Sequence, residues 1–207
     1  MFERKGDPNS KLIPRNIDVT LGSRSVFKIF ETGRRTFPVH RICTHPDFDV
    51  NSPSSDANIA VIFLESPVRG NRHYSPIGIK HLTPDILSLT DVIHVSHGSK
   101  ENLNAKLDLT ATRLNTSILA SESCPISQNS QLFCIGEYDN PLCVDDIGSG
   151  LIVRHNKIPY LRGIVSSVVG SETGICDHNS YSAFTDVSKY VDWIENVEPK
   201  DSDEVDV

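Results

Sequence analysis

No stretch of the 207 residues approaches the length of about 20 consecutive apolar residues that a helix needs to cross a bilayer, so no membrane span is expected. No run of Lys or Arg accumulates either. The 20 basic residues are outnumbered by 27 acidic ones, for a net charge of -7. Phosphate backbones are held by clustered cations, which argues against nucleic acid as the main partner. The first residues, Met-Phe-Glu-Arg-Lys-Gly, are polar and lack the apolar core of a signal peptide. There is no internal repeat of fixed short period. No His/Cys group has zinc spacing and no Gly-rich phosphate loop occurs, so neither a metal nor another cofactor is expected.

What is present fits a folded domain or two small ones. Hydrophobic residues make up 38% and charged residues 23% of the chain. Gly and Pro are spread along the whole length, as short strands joined by turns require. Of the five cysteines, four fall in the C-terminal half at spacings that invite two disulfides, and disulfides belong to oxidising compartments. The sequon at Asn115 is consistent with secretion and glycosylation. A secreted character without a visible leader leads to the expectation that the true N-terminus lies upstream, the chain being a fragment or a shortened product of a secreted protein.

Alternation over 16–22, 26–30 and 36–43, and further short pieces set between turn signals at 91–95, 107–114, 131–135, 150–153 and 160–168, predict strands. The unbroken apolar run Ile59–Leu64 predicts a strand buried on both faces. Near the end, Val187, Tyr190, Val191 and Ile194 recur at helical spacing, and Thr185 or Asp186 can cap that helix. The acidic segment 196–207 reads as a disordered tail. The eight histidines are expected to be solvated or at the edge of the core.

Several segments, in order, resemble the chymotrypsin/trypsin serine protease family. Arg41-Ile-Cys-Thr-His45-Pro-Asp-Phe48 is similar to that family's I-x-x-H-P-x-Y stretch, and Asn58-Ile-Ala-Val-Ile-Phe-Leu64 followed by Ser66-Pro67-Val68 to D-I-A-L-x-x-L and P-V. Cys143-Val-Asp-Asp-Ile-Gly-Ser-Gly-Leu-Ile-Val153 resembles C-x-G-D-S-G-G-P-L-V, and Leu161-Arg-Gly-Ile-Val-Ser166 resembles L-x-G-I-V-S-W-G. Cys176, Phe184-Thr185 and Tyr190-Val-Asp-Trp-Ile194 look like the closing cysteine, the V-Y-T-x-V strand and the C-terminal helix. The resemblance covers roughly residues 17–195. It implies an all-β fold of two antiparallel β-barrels with a C-terminal helix, the first barrel N-terminally truncated. The expected organisation is an incomplete first barrel and connector over 1–90, a second barrel and helix over 91–195, and the tail over 196–207.

The same resemblance marks what is missing. Serine protease catalysis needs a hydroxyl nucleophile, an imidazole to take its proton and a carboxylate to orient the imidazole. Ile147 stands at the nucleophile's position and Asn58 at the carboxylate's, and no histidine is in register, His40 and His45 lying too late. Asp145 replaces the oxyanion-loop glycine, and Asp146 stands where the family has the aspartate that pairs with the freed N-terminal amine. In the specificity pocket, Pro141 replaces the aspartate that binds Arg or Lys, while Ser166 and Val168 occupy wall positions. Moving Ser149 into the nucleophile's place would shift the register against Cys143. The resemblance also implies disulfides Cys124–Cys134 and Cys143–Cys176. It leaves Cys43 as a free thiol, as the partner of a segment outside this chain, or in an intermolecular bond. The expectation is a non-catalytic protease homologue that acts, if at all, by binding a protein partner or a protease-cascade component. The alternatives are a serine endopeptidase with unusual or misread active-site residues, and a vestigial truncated product.

Overall fold

The computed structural model describes residues 13–25, 30–49, 51, 56–81, 92–96, 110–114, 130–136, 142, 146–168 and 181–198. Among the described residues, nine strands, β1 (Asp18–Leu21), β2 (Arg35–Thr44), β3 (Ala60–Leu64), β4 (Val92–Ser96), β5 (Thr110–Leu114), β6 (Leu132–Gly136), β7 (Gly150–His155), β8 (Ile158–Val168) and β9 (Tyr181–Asp186), form two antiparallel sheets. The first has the order β1-β2-β3 and the second β5-β4-β7-β8-β9-β6. One short helix, α1 (Val191–Asn196), closes the described chain. This is the expected all-β class with a C-terminal helix, and the two antiparallel sheets are consistent with the expected two-barrel fold.

The larger sheet encloses the main core. Strand alternation turns Val92 of β4, Phe133 and Ile135 of β6, Leu151 and Val153 of β7, Val165 of β8 and Phe184 of β9 onto one cluster, with Leu142 added from a connection. Ile135, Leu151 and Phe184 are fully buried; each such side chain stabilises by about 1.5–3 kcal/mol relative to exposure. Phe133 and Phe184 stack at 5.3 Å between centroids. Gly163 makes that stack possible, because a Cβ there would lie 2.7 Å from the Phe133 ring. Beside it, the buried Arg162 guanidinium lies 4.1 Å from the Phe133 ring centre and pairs with Asp186.

Apart from 26–30, each predicted strand has a counterpart among the described residues, with bounds that differ by a few positions, and two readings need correction. Ile59–Leu64 is not buried on both faces: Ile62 is 36% exposed and the rest of β3 is half-buried. Among the described residues, β3 lies at the edge of a three-stranded sheet and only β2 flanks it. The single C-terminal helix is also interrupted. Thr185 and Asp186 end β9, and the Asp186 carboxylate accepts the Ser188 N–H to cap a 3-10 turn at Val187–Lys189. Tyr190 then leaves helical geometry (φ -113°, ψ 7°) before α1 begins. Its ring is buried against Ala57 and Ile59, and its hydroxyl accepts the Ala57 N–H at 3.0 Å, which anchors the interruption to the first sheet's segment. The expected strand 26–30 lies outside the described residues except for Phe30, which is 97% exposed, and the acidic tail lies outside them from residue 199 onward.

Candidate active-site region

The segment Asp56–Ile59, which leads into β3, is fixed to the second sheet by polar contacts. Asp56 accepts from Ser130 Oγ at 2.6 Å and from the Gln131 N–H at 3.1 Å. Ala57 sits at φ 54°, a left-handed conformation that costs a non-glycine residue roughly 1–2 kcal/mol, and its bond to Tyr190 helps to hold it there. Burial and the Ala57 contact act on the Tyr190 phenol in opposite senses; burial is the larger effect and pushes its pKa up to about 12. Asn58 donates from Nδ2 to Ser166 Oγ at 3.1 Å on β8, and its carbonyl accepts from Thr185 Oγ1 at 3.0 Å on β9. Asn58 and Ser166, singled out separately in the sequence, therefore meet.

The other half of the region is the turn Asp146–Ser149 before β7. Ser149 N–H bonds back to the Asp146 carbonyl at 3.0 Å, and Gly148 occupies the turn position that requires a positive φ, at 89°. Gly148 N–H donates to Val165 O at 2.9 Å and Val165 N–H to Ser149 O at 3.0 Å, so the turn is tied to β8. Ile147 projects from it and packs with Val168 against the main core. The Asp146 side chain is buried beside it.

One participant has no counterpart among the sequence-based candidates. His94 lies on β4, register-paired with Leu151. Alternation places it on the inward face with Val92, and it is 3% exposed, contrary to the expectation of solvated or edge histidines. Its Nε2 lies 2.6 Å from Ser149 Oγ. Ser149 Oγ also donates its hydroxyl proton in a hydrogen bond to the Asp146 carbonyl oxygen at 2.5 Å, since a carbonyl can only accept. Ser149 has one such proton. It is therefore committed to Asp146, and His94 Nε2–H is the donor to Ser149. Burial pushes His94 below its ordinary pKa of 6.5, opposed by the charge of Asp146. A general base would have to accept the hydroxyl proton, whereas this imidazole donates one. The Gly148 and Ser149 N–H groups are both engaged by protein carbonyls.

The remaining histidine candidates are placed elsewhere. His40 is exposed on β2. His45 lies between Tyr190 and Trp193, 5.0 and 4.8 Å from their ring centres, and its Nδ1 accepts from the Asp47 N–H at 3.2 Å. Cys43 is a half-buried free thiol on β2, opposite Val61, and Cys134 is buried on β6. Pro141, Cys143, Asp145, Cys124, Cys176 and Asn115 lie outside the described residues.

Comparison with known proteins places this arrangement. The family model for trypsin matches residues 9–194. The chain belongs to the trypsin family. Among curated relatives, it is 27% identical to serine protease gd of Drosophila melanogaster over 90% of the chain and 43% of that protein. It is 26% identical to the complement C1r subcomponent-like protein of Homo sapiens over 88% of the chain and 38% of that protein. It is 25% identical to trypsin of Sus scrofa over 86% of the chain and 74% of that protein. The chain thus spans less than half the length of the first two of these trypsin-family relatives. Among the described residues, no helix is long and apolar enough to cross a membrane.

Proposed function

We propose that this chain is a non-catalytic member of the trypsin family that acts by binding another protein in the extracellular space. One observation carries the reading. The sequence resemblance puts Ile147 in register with the family's nucleophile, and its turn is tied to β8 by backbone bonds while its side chain packs against the apolar core. Its side chain has neither a lone pair nor an acidic proton, so no acyl-enzyme can form there. Asn58 at the carboxylate's position has an uncharged amide engaged with Ser166, and it cannot balance an imidazolium as a carboxylate would. The Asp145 and Pro141 replacements extend the same reading to the oxyanion loop and the specificity pocket.

Within this reading, Cys124–Cys134 and Cys143–Cys176 form disulfides that each stabilise by about 2–4 kcal/mol, and the domain is secreted. The resemblance to a complement subcomponent-like protein favours a partner within a protease cascade. The test is turnover of activated ester and peptide amide substrates by the purified full chain between pH 6 and 9. The expected result is no hydrolysis above a heat-denatured control. Hydrolysis abolished by Ser149→Ala would overturn the proposal.

A further inference from the structure

We propose that His94, Ser149 and Asp146 form an acid-sensitive latch inside the second sheet: neutral His94 holds the Asp146–Ser149 turn against β8, and protonation of its Nδ1 releases the turn. The argument starts from geometry. His94 occupies a core position on β4, in register with Leu151 and on the inward face with Val92. Its polar contact at Nε2 is Ser149 Oγ at 2.6 Å, and that hydroxyl donates its own hydrogen bond to the Asp146 carbonyl. The chain imidazole, hydroxyl, carbonyl therefore runs in one direction and closes the same turn that Ser149 N–H closes through the backbone.

The neutral Nε2–H tautomer satisfies this chain. A second proton places a full charge at a site 3% exposed, where burial disfavours the charged form. The described elements around His94 supply one opposing group, Asp146, which is itself buried. On β7 the inward residues are Leu151 and Val153, and Arg154 is exposed. β8 carries no titratable residue from Gly163 to Val168, and Arg162 is engaged by Asp186. On β5 the register sets Thr112 opposite His94 and Arg113 opposite Ile93. Burial outweighs the Asp146 charge, consistent with a neutral native ring.

The sign follows by linkage. A base whose folded pKa is depressed binds its proton more readily once the site opens, so the closed state is fully favoured above the unperturbed pKa of about 6.5 and loses ground as pH falls below it. Opening should then increase by up to about tenfold per pH unit, the slope of one proton. The experiment is amide hydrogen exchange of Gly148 and Ser149 in the full chain from pH 7.5 to 4.5, corrected for intrinsic exchange, with the His94 ring followed by NMR over the same range. The expected result is an Nε2–H tautomer at pH 7.5 and protection at both amides that falls with the one-proton slope below pH 6.5. His94→Gln offers an N–H donor to Ser149 without a titrating proton, and it should keep the protection while removing the slope. His94 titrating at an ordinary pKa with unchanged protection would overturn the proposal, as would an equal slope in His94→Gln. Should that variant not fold, the wild-type ring titration and exchange profile decide the matter alone.

Discussion

Replacement of Asp186 by alanine should destabilise the domain severely. The Asp186 carboxylate binds the Arg162 guanidinium and accepts from the Ser188 N–H at 3.0 Å and from Ser188 Oγ. The two side chains of the ion pair are only 4% and 10% exposed, so water does not screen them. Removing one partner of a buried pair leaves an uncompensated charge and costs about 3–5 kcal/mol. Losing the cap of the 3-10 turn adds about 1 kcal/mol. For a domain of this size, 1 kcal/mol corresponds to about 2–4 °C in Tm, so a fall of roughly 10 °C or more is expected. Urea unfolding of the full chain followed by circular dichroism is the assay. The double variant Arg162→Met, Asp186→Ala removes the orphaned charge and keeps an apolar stem over Phe133, so it should recover at least about 1 kcal/mol relative to Asp186→Ala. A cost below about 1 kcal/mol for Asp186→Ala, or a double variant as unstable as the sum of the singles, would refute the reasoning.

Gly148→Ala should cost about 1 kcal/mol in urea unfolding. The added Cβ meets nothing within 4 Å, so the penalty is the positive φ alone. Gly163→Ala should cost more, because its Cβ would lie 2.7 Å from the Phe133 ring. Tyr190→Phe leaves the Ala57 N–H without its acceptor and should cost about 1–3 kcal/mol, read by denaturation and by faster exchange of that amide. In the intact chain, absorbance titration should show Tyr190 ionising near its value of about 12. Because that folded pKa is raised, the associated stability is complete below the unfolded value near 10 and is lost as pH climbs from there toward 12.

Much of the fold was legible because strand alternation and turn residues report a half-buried sheet directly. Phe37 and Val39 on β2, for instance, are both inward and both buried. Asn58, Ser166 and Ile147 could be singled out because their motifs surround them at fixed spacing. The pattern gave less where burial depends on neighbours distant in sequence. The run Ile59–Leu64 looks the same whether a strand is central or at an edge, and only the sheet order makes Ile62 half-exposed. The helical spacing of Val187, Tyr190 and Ile194 is genuine, yet the anchoring of Tyr190 to Ala57 breaks the helix there. His94 is not legible as a core residue, because a histidine in a strand reads as an edge residue. Its parity with Val92 on β4 was the available signal, and its partner Ser149 lies 55 positions away.

The central claim, that this trypsin-family chain has no acyl-transfer nucleophile, is tested most directly by treating the purified full chain with a fluorophosphonate at neutral to mildly alkaline pH and measuring its intact mass. The account predicts an unchanged mass. It rests on Ile147 at the nucleophile's register and on a Ser149 hydroxyl whose proton is committed to the Asp146 carbonyl. A stoichiometric adduct that maps to Ser149 or to any other serine, and is lost on denaturation before labelling, would contradict it.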